Sequence, residues 1–298
     1  MSRVCAACDA SAFEPYRSVT RAKDASLVAT TTAYGAAPSD LLRCTVCGHR
    51  QVAEFPSDAD LEKAYGEVDE GAYLDEETGQ RATARVALDR IDRHRLSESE
   101  RSMIDVGCWV GFLLSEAQSR GWRAAGVEPS RFAAQFAREE LGLDVRPGTL
   151  ASVDLPPASF DAAVLGDVIE HLPDPGAALD EVKRVLRPGG ILYLTLPDAG
   201  SAIARALGAR WWSVIPTHVQ YFTRESIARL LERRGYVVEW IGTAPKAFTV
   251  RYYLERLEGY SEGLSRRAVS AAERLGLANR LVWPDFRDRM AVVARLGK

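Results

Sequence analysis

Four cysteines are arranged in two pairs that could hold a metal ion. They are Cys5 and Cys8, then Cys44 and Cys47, with residues 9–43 between the pairs. A Cys-x-x-Cys pair presents two thiolates to one metal, and two such pairs complete a tetrahedral zinc site. Four thiolates leave no position for water, so we predict structural zinc, with paired disulfides as the alternative.

A second set of residues indicates a site for an adenosine-like cofactor. Gly107 and Gly111 bracket a tight turn that follows a short apolar run of strand type and precedes helical sequence. Such a turn brings backbone N–H groups and a helix N-terminus up to a ligand. Glu128 ends the next predicted strand, where a carboxylate can bind both hydroxyls of a ribose.

The spacing of this turn narrows the choice of cofactor. A dinucleotide fingerprint needs G-x-G-x-x-G and a P-loop needs G-x-x-x-x-G-K-S/T, and the turn matches neither. Asp105 lies two residues before Gly107, where its charge would repel a pyrophosphate but attract a cationic amino-acid tail. We therefore predict S-adenosylmethionine rather than NAD or ATP.

The stretch Asp105-Val-Gly-Cys-Trp-Val-Gly111 resembles the D-x-G-x-G-x-G motif of class I methyltransferases. Trp109 replaces the middle glycine of that motif and either packs behind the turn or forms a wall of the methionine pocket. The segments Glu170-His-Leu-Pro-Asp-Pro175 and Leu186-Arg-Pro-Gly-Gly190 also resemble this family. The resemblance covers residues 100–245 and implies methyl transfer from S-adenosylmethionine.

The fold is predicted from strands that alternate with helices. This pattern indicates an α/β class, and the resemblance implies a doubly wound, mostly parallel seven-stranded sheet with an antiparallel last strand. We divide the chain into a zinc-ribbon module (residues 1–55), a helical connector or cap (56–100) and a methyltransferase domain (101–298). A helical insertion at about residues 251–286 would serve as a lid or as a homodimer contact.

Most of the cofactor contacts follow from the same resemblance. A helix before the turn is expected to supply Arg81 to the methionine carboxylate, although Arg81 could equally be a surface residue. Asp167 would line the methionine end, and the loop with Thr149 and Leu150 would lie against the adenine. The predicted cofactor residues are Arg81, Asp105, Gly107, Cys108, Gly111, Glu128, Pro129, Thr149, Leu150 and Asp167.

Two of the four histidines are candidates for a catalytic base. His171 follows the fourth strand, near the predicted methyl group, and for this residue we favour stabilisation of the turn over catalysis. His218 lies in a segment that resembles the His-x-x-Tyr-Phe-Ser/Thr stretch of zinc-containing sugar C-methyltransferases, in which this histidine is a proposed base. We predict His218 as the base, with substrate positioning or a structural hydrogen bond as alternatives. His49 and His94 are expected to be solvated.

Composition excludes some classes of function. The 298 residues are 47% hydrophobic and 27% charged, as in ordinary globular proteins, and the net charge of -3 argues against a nucleic-acid binder. The absence of an apolar leader or a long apolar run predicts a cytoplasmic protein without a membrane contact.

We expect a methyltransferase for a small hydroxylated metabolite, such as a sugar or sugar nucleotide. The alternatives are an RNA methyltransferase and a non-catalytic cofactor-binding or zinc-mediated interaction protein.

Overall fold

The computed structural model describes residues 4–21, 32–57, 60, 71–94 and 101–297. In these residues five short strands come first, and a longer region in which strands and helices largely alternate follows. The strands are β1 (Phe13–Arg17), β2 (Thr20–Arg21), β3 (Ala36–Ala37), β4 (Leu41–Cys44), β5 (Arg50–Val52), β6 (Ser102–Val106), β7 (Arg123–Glu128), β8 (Asp144–Pro147), β9 (Phe160–Gly166), β10 (Leu186–Pro197), β11 (Gln220–Tyr221), β12 (Tyr236–Thr243), β13 (Phe248–Thr249), β14 (Leu281–Val282) and β15 (Arg289–Leu296). The α-helices are α1 (Glu77–His94), α2 (Phe112–Ser119), α3 (Arg131–Glu139), α4 (Pro175–Val185), α5 (Ala202–Leu207), α6 (Arg224–Arg233), α7 (Val250–Glu255) and α8 (Glu262–Arg274).

Seven of the described strands form one sheet in the order β12-β15-β10-β9-β6-β7-β8. Strands β6 to β10 run parallel to one another, whereas β15 lies antiparallel to both β10 and β12. The predicted α/β class and the mostly parallel seven-stranded sheet with its antiparallel last strand are confirmed. The order of the strands in the sheet reverses between β6 and β9. In parallel α/β sheets, ligands bind in a crevice at such a reversal, just beyond the carboxyl ends of the strands.

The central strands are apolar because helices cover both faces of the sheet. Every residue of β6 is buried, and Val106 at its end lies level with Val127 on one side and Leu165 on the other. One apolar cluster contains residues of α1, α2 and α3, and the opposite cluster contains residues of α4 and α6. Each fully buried leucine in these clusters contributes about 1.5–3 kcal/mol, so the sheet is a rigid platform for the crevice.

Two helices next to the crevice begin at residues whose side chains cap the helix N-terminus. The Ser130 side chain accepts a hydrogen bond from the Ala133 N–H of α3 at 3.2 Å. Thr223 accepts from the Ser226 N–H of α6 at 3.2 Å, and the Ser226 hydroxyl accepts from the Thr223 N–H at 2.9 Å. A cap of this kind stabilises a helix by about 1 kcal/mol and fixes where it begins.

The N-terminal cysteine region forms a second sheet that includes a strand from the main domain. Its order is β1-β4-β5-β11, and Gln220 and Tyr221 of β11 pair with Gln51 and Arg50 of β5. His49 lies at this junction, where its Nε2 is 2.9 Å from the Gln220 side-chain oxygen. The expectation that His49 is solvated is wrong, because the junction buries its ring completely against Phe222.

Helices α7 and α8 lie in the connection between β12 and β15, within the region where the sequence predicts helices. None of the helices in the described part of the chain has the length and apolar content that a membrane span requires.

Candidate cofactor and acceptor site

A cavity of about 1030 Å³ lies at the carboxyl ends of the parallel strands. Its walls include the residues that end β6, β7 and β9, so it occupies the point where the strand order reverses. All the predicted cofactor residues except Arg81 line it. We call the part beside β6, β7 and β8 the cofactor end, and the part beside β9, β10 and β15 the acceptor end.

The turn after β6 needs its two glycines for conformation and for space. Gly107 and Gly111 have φ angles of 71° and 83°, a left-handed region that disfavours other residues. A Cβ atom at Gly107 would lie 2.7 Å from a methyl carbon of Val168, and one at Gly111 would lie 2.4 Å from Leu143 Cδ1. The turn can therefore pack closely beneath the cavity only with glycine at these positions.

Trp109 combines the two roles that the sequence leaves open. Its indole lines the cavity and also packs against the buried cluster of Val110, Phe112 and Ala133. Its backbone has a φ angle of 52°, which directs the Trp109 N–H to a Glu128 carboxylate oxygen at 2.7 Å. The residue that replaces the motif's middle glycine thus also holds the carboxylate at the end of β7.

Two buried acids face each other at the cofactor end. Glu128 accepts hydrogen bonds from the backbone N–H groups of Trp109 and Ser130, both at 2.7 Å. Burial raises its pKa, and these two bonds oppose the rise. Burial, and then the charge of Glu128, raise the pKa of Asp105 to about 8. A cation bound here would favour the ionised form of Asp105, so this acid suits the ammonium group of a ligand. Glu128 suits a pair of free hydroxyls on the same ligand.

Arg81 lies outside the cavity wall. Its guanidinium donates to Glu77 at 2.6 Å and to Glu116 at 3.2 Å, which ties α1 to α2. Another residue of the same helix, Arg90, lines the cavity instead. Helical periodicity alone could not distinguish between these arginines, since it does not fix how the helix is rotated against the sheet.

Charged residues that the sequence analysis did not identify lie at the acceptor end. Lys246 and Arg289 line the cavity there, and both form ion pairs with Asp167. Burial would raise the pKa of Asp167, but the two cations hold it well below its usual range. The position of Arg289 at the start of the last strand was a usable signal, because an antiparallel strand begins at the edge of the sheet where the parallel strands end.

The two candidate histidines lie together at the acceptor end. Their ring centroids are 4.6 Å apart in an edge-to-face arrangement. His171 Nδ1 lies 2.9 Å from the Thr217 carbonyl and His218 Nδ1 lies 2.8 Å from the Ser213 carbonyl, which makes Nε2 the basic nitrogen of each neutral ring. Burial lowers the pKa of His171 to about 4. Burial, and then the electrostatic effect of His171, lower the pKa of His218 well below its ordinary value. His171 lines the cavity, whereas His218 packs behind it.

The four N-terminal cysteines converge as a metal site requires. Their sulfur atoms all lie within 4.8 Å of one another, with Cys5 and Cys47 at 3.5 Å and Cys8 and Cys44 at 3.6 Å. Zinc bonded to four thiolates at about 2.3 Å sets the sulfurs roughly 3.8 Å apart, and a disulfide sets them about 2.05 Å apart. All four cysteines are free thiols, so the geometry fits a zinc ion better than the disulfide alternative.

Hydrogen bonds connect the cysteine site to the histidines. The Gln51 side chain of β5 accepts from the Ala6 N–H at 3.2 Å, between Cys5 and Cys8. The neighbouring Val52 N–H donates to the Val219 carbonyl at 3.0 Å, directly after His218. The Val219 N–H in turn donates to the Glu170 carbonyl at 2.9 Å. The cysteine module therefore braces both segments that carry the histidines.

Comparisons with known proteins bear on this site. The model of a family described as "Methyltransferase domain" matches residues 79–240, which is more than half of the chain. A protein of Mycolicibacterium smegmatis named a probable S-adenosylmethionine-dependent methyltransferase is 31% identical over 47% of this chain and 53% of its own length. A ubiquinone biosynthesis O-methyltransferase of Bradyrhizobium is 32% identical over 51% of this chain and 65% of its own length. The chain thus matches only about half to two thirds of these relatives.

A solved structure shows the breadth of this fold. The crystal structure of the cyclase SpnF covers 78% of this chain and 86% of its own, with a TM-score of 0.51 and 22% identity. Because a cyclase has the same fold, the reaction has to be argued from the site and not from the architecture.

Proposed function

This chain belongs to the methyltransferase domain family, and we propose that it transfers the methyl group of S-adenosylmethionine to a small hydroxylated metabolite. The observation that carries the proposal is the pair of buried acids at the cofactor end. Glu128 is held by two backbone N–H groups with its carboxylate on the cavity wall, where it can accept hydrogen bonds from both ribose hydroxyls. Asp105 lies beside it and can pair with the ammonium of the methionine portion.

The acceptor end supports a role for the histidine pair in removing a proton. Methyl transfer is an in-line displacement in which positioning supplies much of the acceleration, and a hydroxyl acceptor also has to lose its proton. We assign the base to His171 and His218. His171 lines the cavity and can contact the acceptor, while the predicted base His218 packs against it edge-on. Lys246 and Arg289 at the same end suit an acceptor with acidic groups, such as a sugar nucleotide.

The cysteine module is assigned a structural role in this proposal. Zinc at Cys5, Cys8, Cys44 and Cys47 would fix the loops around Gln51, and β5 would then hold the segment that carries His218. Four thiolates leave no open position, so this zinc would take no direct part in the reaction.

Transfer of a radiolabelled methyl group tests the proposal. The full chain is incubated with labelled S-adenosylmethionine and a panel of hydroxylated metabolites, sugars and sugar nucleotides, with RNA as a separate arm. We expect label on one class of small hydroxylated acceptor, and loss of that label in Glu128→Ala. Label on RNA alone would overturn the assigned acceptor class, and binding of the cofactor without label on any acceptor would overturn the assigned activity.

A further inference from the structure

We propose that Glu170, His171 and His218 form a second metal site, which takes a divalent transition-metal ion such as Zn²⁺ at the acceptor end of the cavity. One potential ligand atom from each of these residues lies within 4.8 Å of the other two. Two imidazoles and one carboxylate are a donor set that zinc and related ions accept in proteins. The site lies apart from the four cysteines and uses residues that they do not supply.

The carboxylate of Glu170 is the strongest sign that something binds here. The residue is only 1% exposed, and both of its side-chain oxygens are buried without a hydrogen-bond partner among the described residues. Leaving a buried polar group unpaired costs roughly 1–3 kcal/mol, and more when the group is charged. A cation between Glu170 and the two imidazoles would satisfy these oxygens and remove that cost.

Both imidazoles are already oriented as metal ligands usually are. Each ring directs its Nδ1 to a backbone carbonyl, of Thr217 for His171 and of Ser213 for His218. A metal-binding histidine commonly donates its other ring N–H to such a group, which fixes its tautomer and its direction. The Nε2 lone pair of each ring is then the one that can coordinate a metal.

The backbone brings the three residues together without help from a metal. Glu170 and His171 lie in the short 3-10 helix Ile169–His171 after β9, and His218 comes from the segment before β11. The Val219 N–H donates to the Glu170 carbonyl at 2.9 Å, which ties the two segments beside the site. The neighbouring Asp167 is engaged by Lys246 and Arg289, so it partly screens these cations from the site.

The consequence for the acceptor rests on the function proposed above. Three protein ligands leave a zinc ion with a further position, as in catalytic sites, and His171 connects this site to the cavity. An acceptor hydroxyl bound at that position would ionise more readily and release its proton to solvent. In this arrangement the two histidines act as metal ligands. The bound cation, in place of a histidine base, then promotes the loss of the acceptor's proton.

Zinc stoichiometry of the purified full chain tests the proposal. After dialysis against buffer with micromolar Zn²⁺, and then against metal-free buffer, mass spectrometry of the metal should find two zinc ions per wild-type chain. Glu170→Gln, which preserves size, and Cys44→Ser should each retain one. The control His94→Gln, at the end of α1, should retain two. One zinc in the wild type, or two in a folded Glu170→Gln, would overturn the site, and the wild-type count decides the question even where a variant fails to fold.

Activity and cofactor binding separate this proposal from the previous one. Glu170→Gln preserves both histidines, so a metal-free histidine base would keep turnover near the wild-type value. With a metal site, turnover should fall by about 100-fold or more together with the loss of one zinc, while affinity for S-adenosylhomocysteine stays unchanged. Failure of the wild type to bind S-adenosylhomocysteine would count against the proposed function, and it would leave the zinc count as the independent test of this site.

Discussion

The two ends of the cavity are built in different ways. The cofactor end comes chiefly from residues 105–128, one strand–turn–helix–strand unit whose carboxylate is held by neighbouring backbone N–H groups. The acceptor end combines residues that are far apart in the chain, namely Glu170, His218, Lys246 and Arg289. A short local unit can bind the same cofactor in different proteins. An end assembled from many segments can vary in sequence and so accept different substrates.

The two ends also differ in charge. At the cofactor end, burial and then the charge of Glu128 raise the pKa of Asp105 to about 8. At the acceptor end Asp167 has two cations, which hold its pKa low. The cofactor end therefore favours a cationic ligand, while the acceptor end supplies donors and basic nitrogens to a neutral or acidic one.

The largest expected effect is a loss of turnover that leaves cofactor binding intact. His171→Gln should lower turnover by about 10²–10⁴-fold, since a positioned proton acceptor or metal ligand is lost. The affinity for S-adenosylhomocysteine should change by less than about twofold, because the cofactor end is built from other residues. Steady-state kinetics and calorimetry on the same preparation would check this. A comparable loss of affinity would contradict the division of the cavity into two ends.

A smaller effect is expected where the ends meet, at Gly107. Gly107→Ala places a Cβ atom 2.7 Å from the Val168 side chain at a φ angle of 71°, so either the turn or the Val168 side chain must shift. Strain of about 1–3 kcal/mol should weaken binding of S-adenosylhomocysteine roughly 10–100-fold. Gly142→Ala is the matched control, since Gly142 has a φ angle of 64° and nothing lies within 4 Å of the added Cβ. It should lose some thermal stability but bind normally, and equal binding by both variants would argue against a tight turn.

The smallest effect concerns the pH dependence of cofactor binding. Below pH 8 the raised pKa keeps Asp105 protonated, and an ammonium ligand binds best to the ionised form. Affinity for S-adenosylhomocysteine should rise from pH 6 to 8 by up to about tenfold per pH unit, and this dependence should flatten in Asp105→Asn. Calorimetry at several pH values would check this, and an equal slope in both proteins would exclude Asp105 from the ammonium site.

The stability of the ligand-free protein should change with pH in the direction opposite to cofactor affinity. A raised carboxyl pKa stabilises the folded state at low pH, and that contribution is lost as pH rises through 8. Asp105→Asn removes this dependence, so its melting temperature relative to the wild type should increase between pH 6 and 9. Thermal unfolding would measure the difference, and a constant difference would contradict the raised pKa.

The residues predicted for the cofactor end, other than Arg81, converge on one cavity, and their sequence signals are local. The glycine turn and Glu128 depend on a few neighbouring residues, and the structure brings them to the same cavity wall. The convergence of the four cysteines could likewise be predicted from their spacing, since two Cys-x-x-Cys pairs are a known pattern of metal ligands.

The acceptor end could not be predicted in the same way. Lys246 reaches the site through tertiary packing, and only the position of Arg289 at the start of the last strand gave a signal in the sequence. No sequence pattern shows that the buried Glu170 carboxylate lacks a hydrogen-bond partner among the described residues. His49 was expected at the surface, but pairing of β5 with β11 buries it, and strand pairing across more than 160 residues is not visible in local composition. Arg81 illustrates the same limit within a helix, because its partner Glu116 decides its direction.

Titration of the folded protein with S-adenosylhomocysteine, for the wild type and for Glu128→Ala, tests the central claim most directly. We predict one binding site per wild-type chain. Glu128→Ala should bind at least about 100-fold more weakly, because the ribose loses its acceptor and the N–H groups of Trp109 and Ser130 lose theirs. Absence of binding to the folded wild type, or equal affinity in the two proteins, would contradict the account.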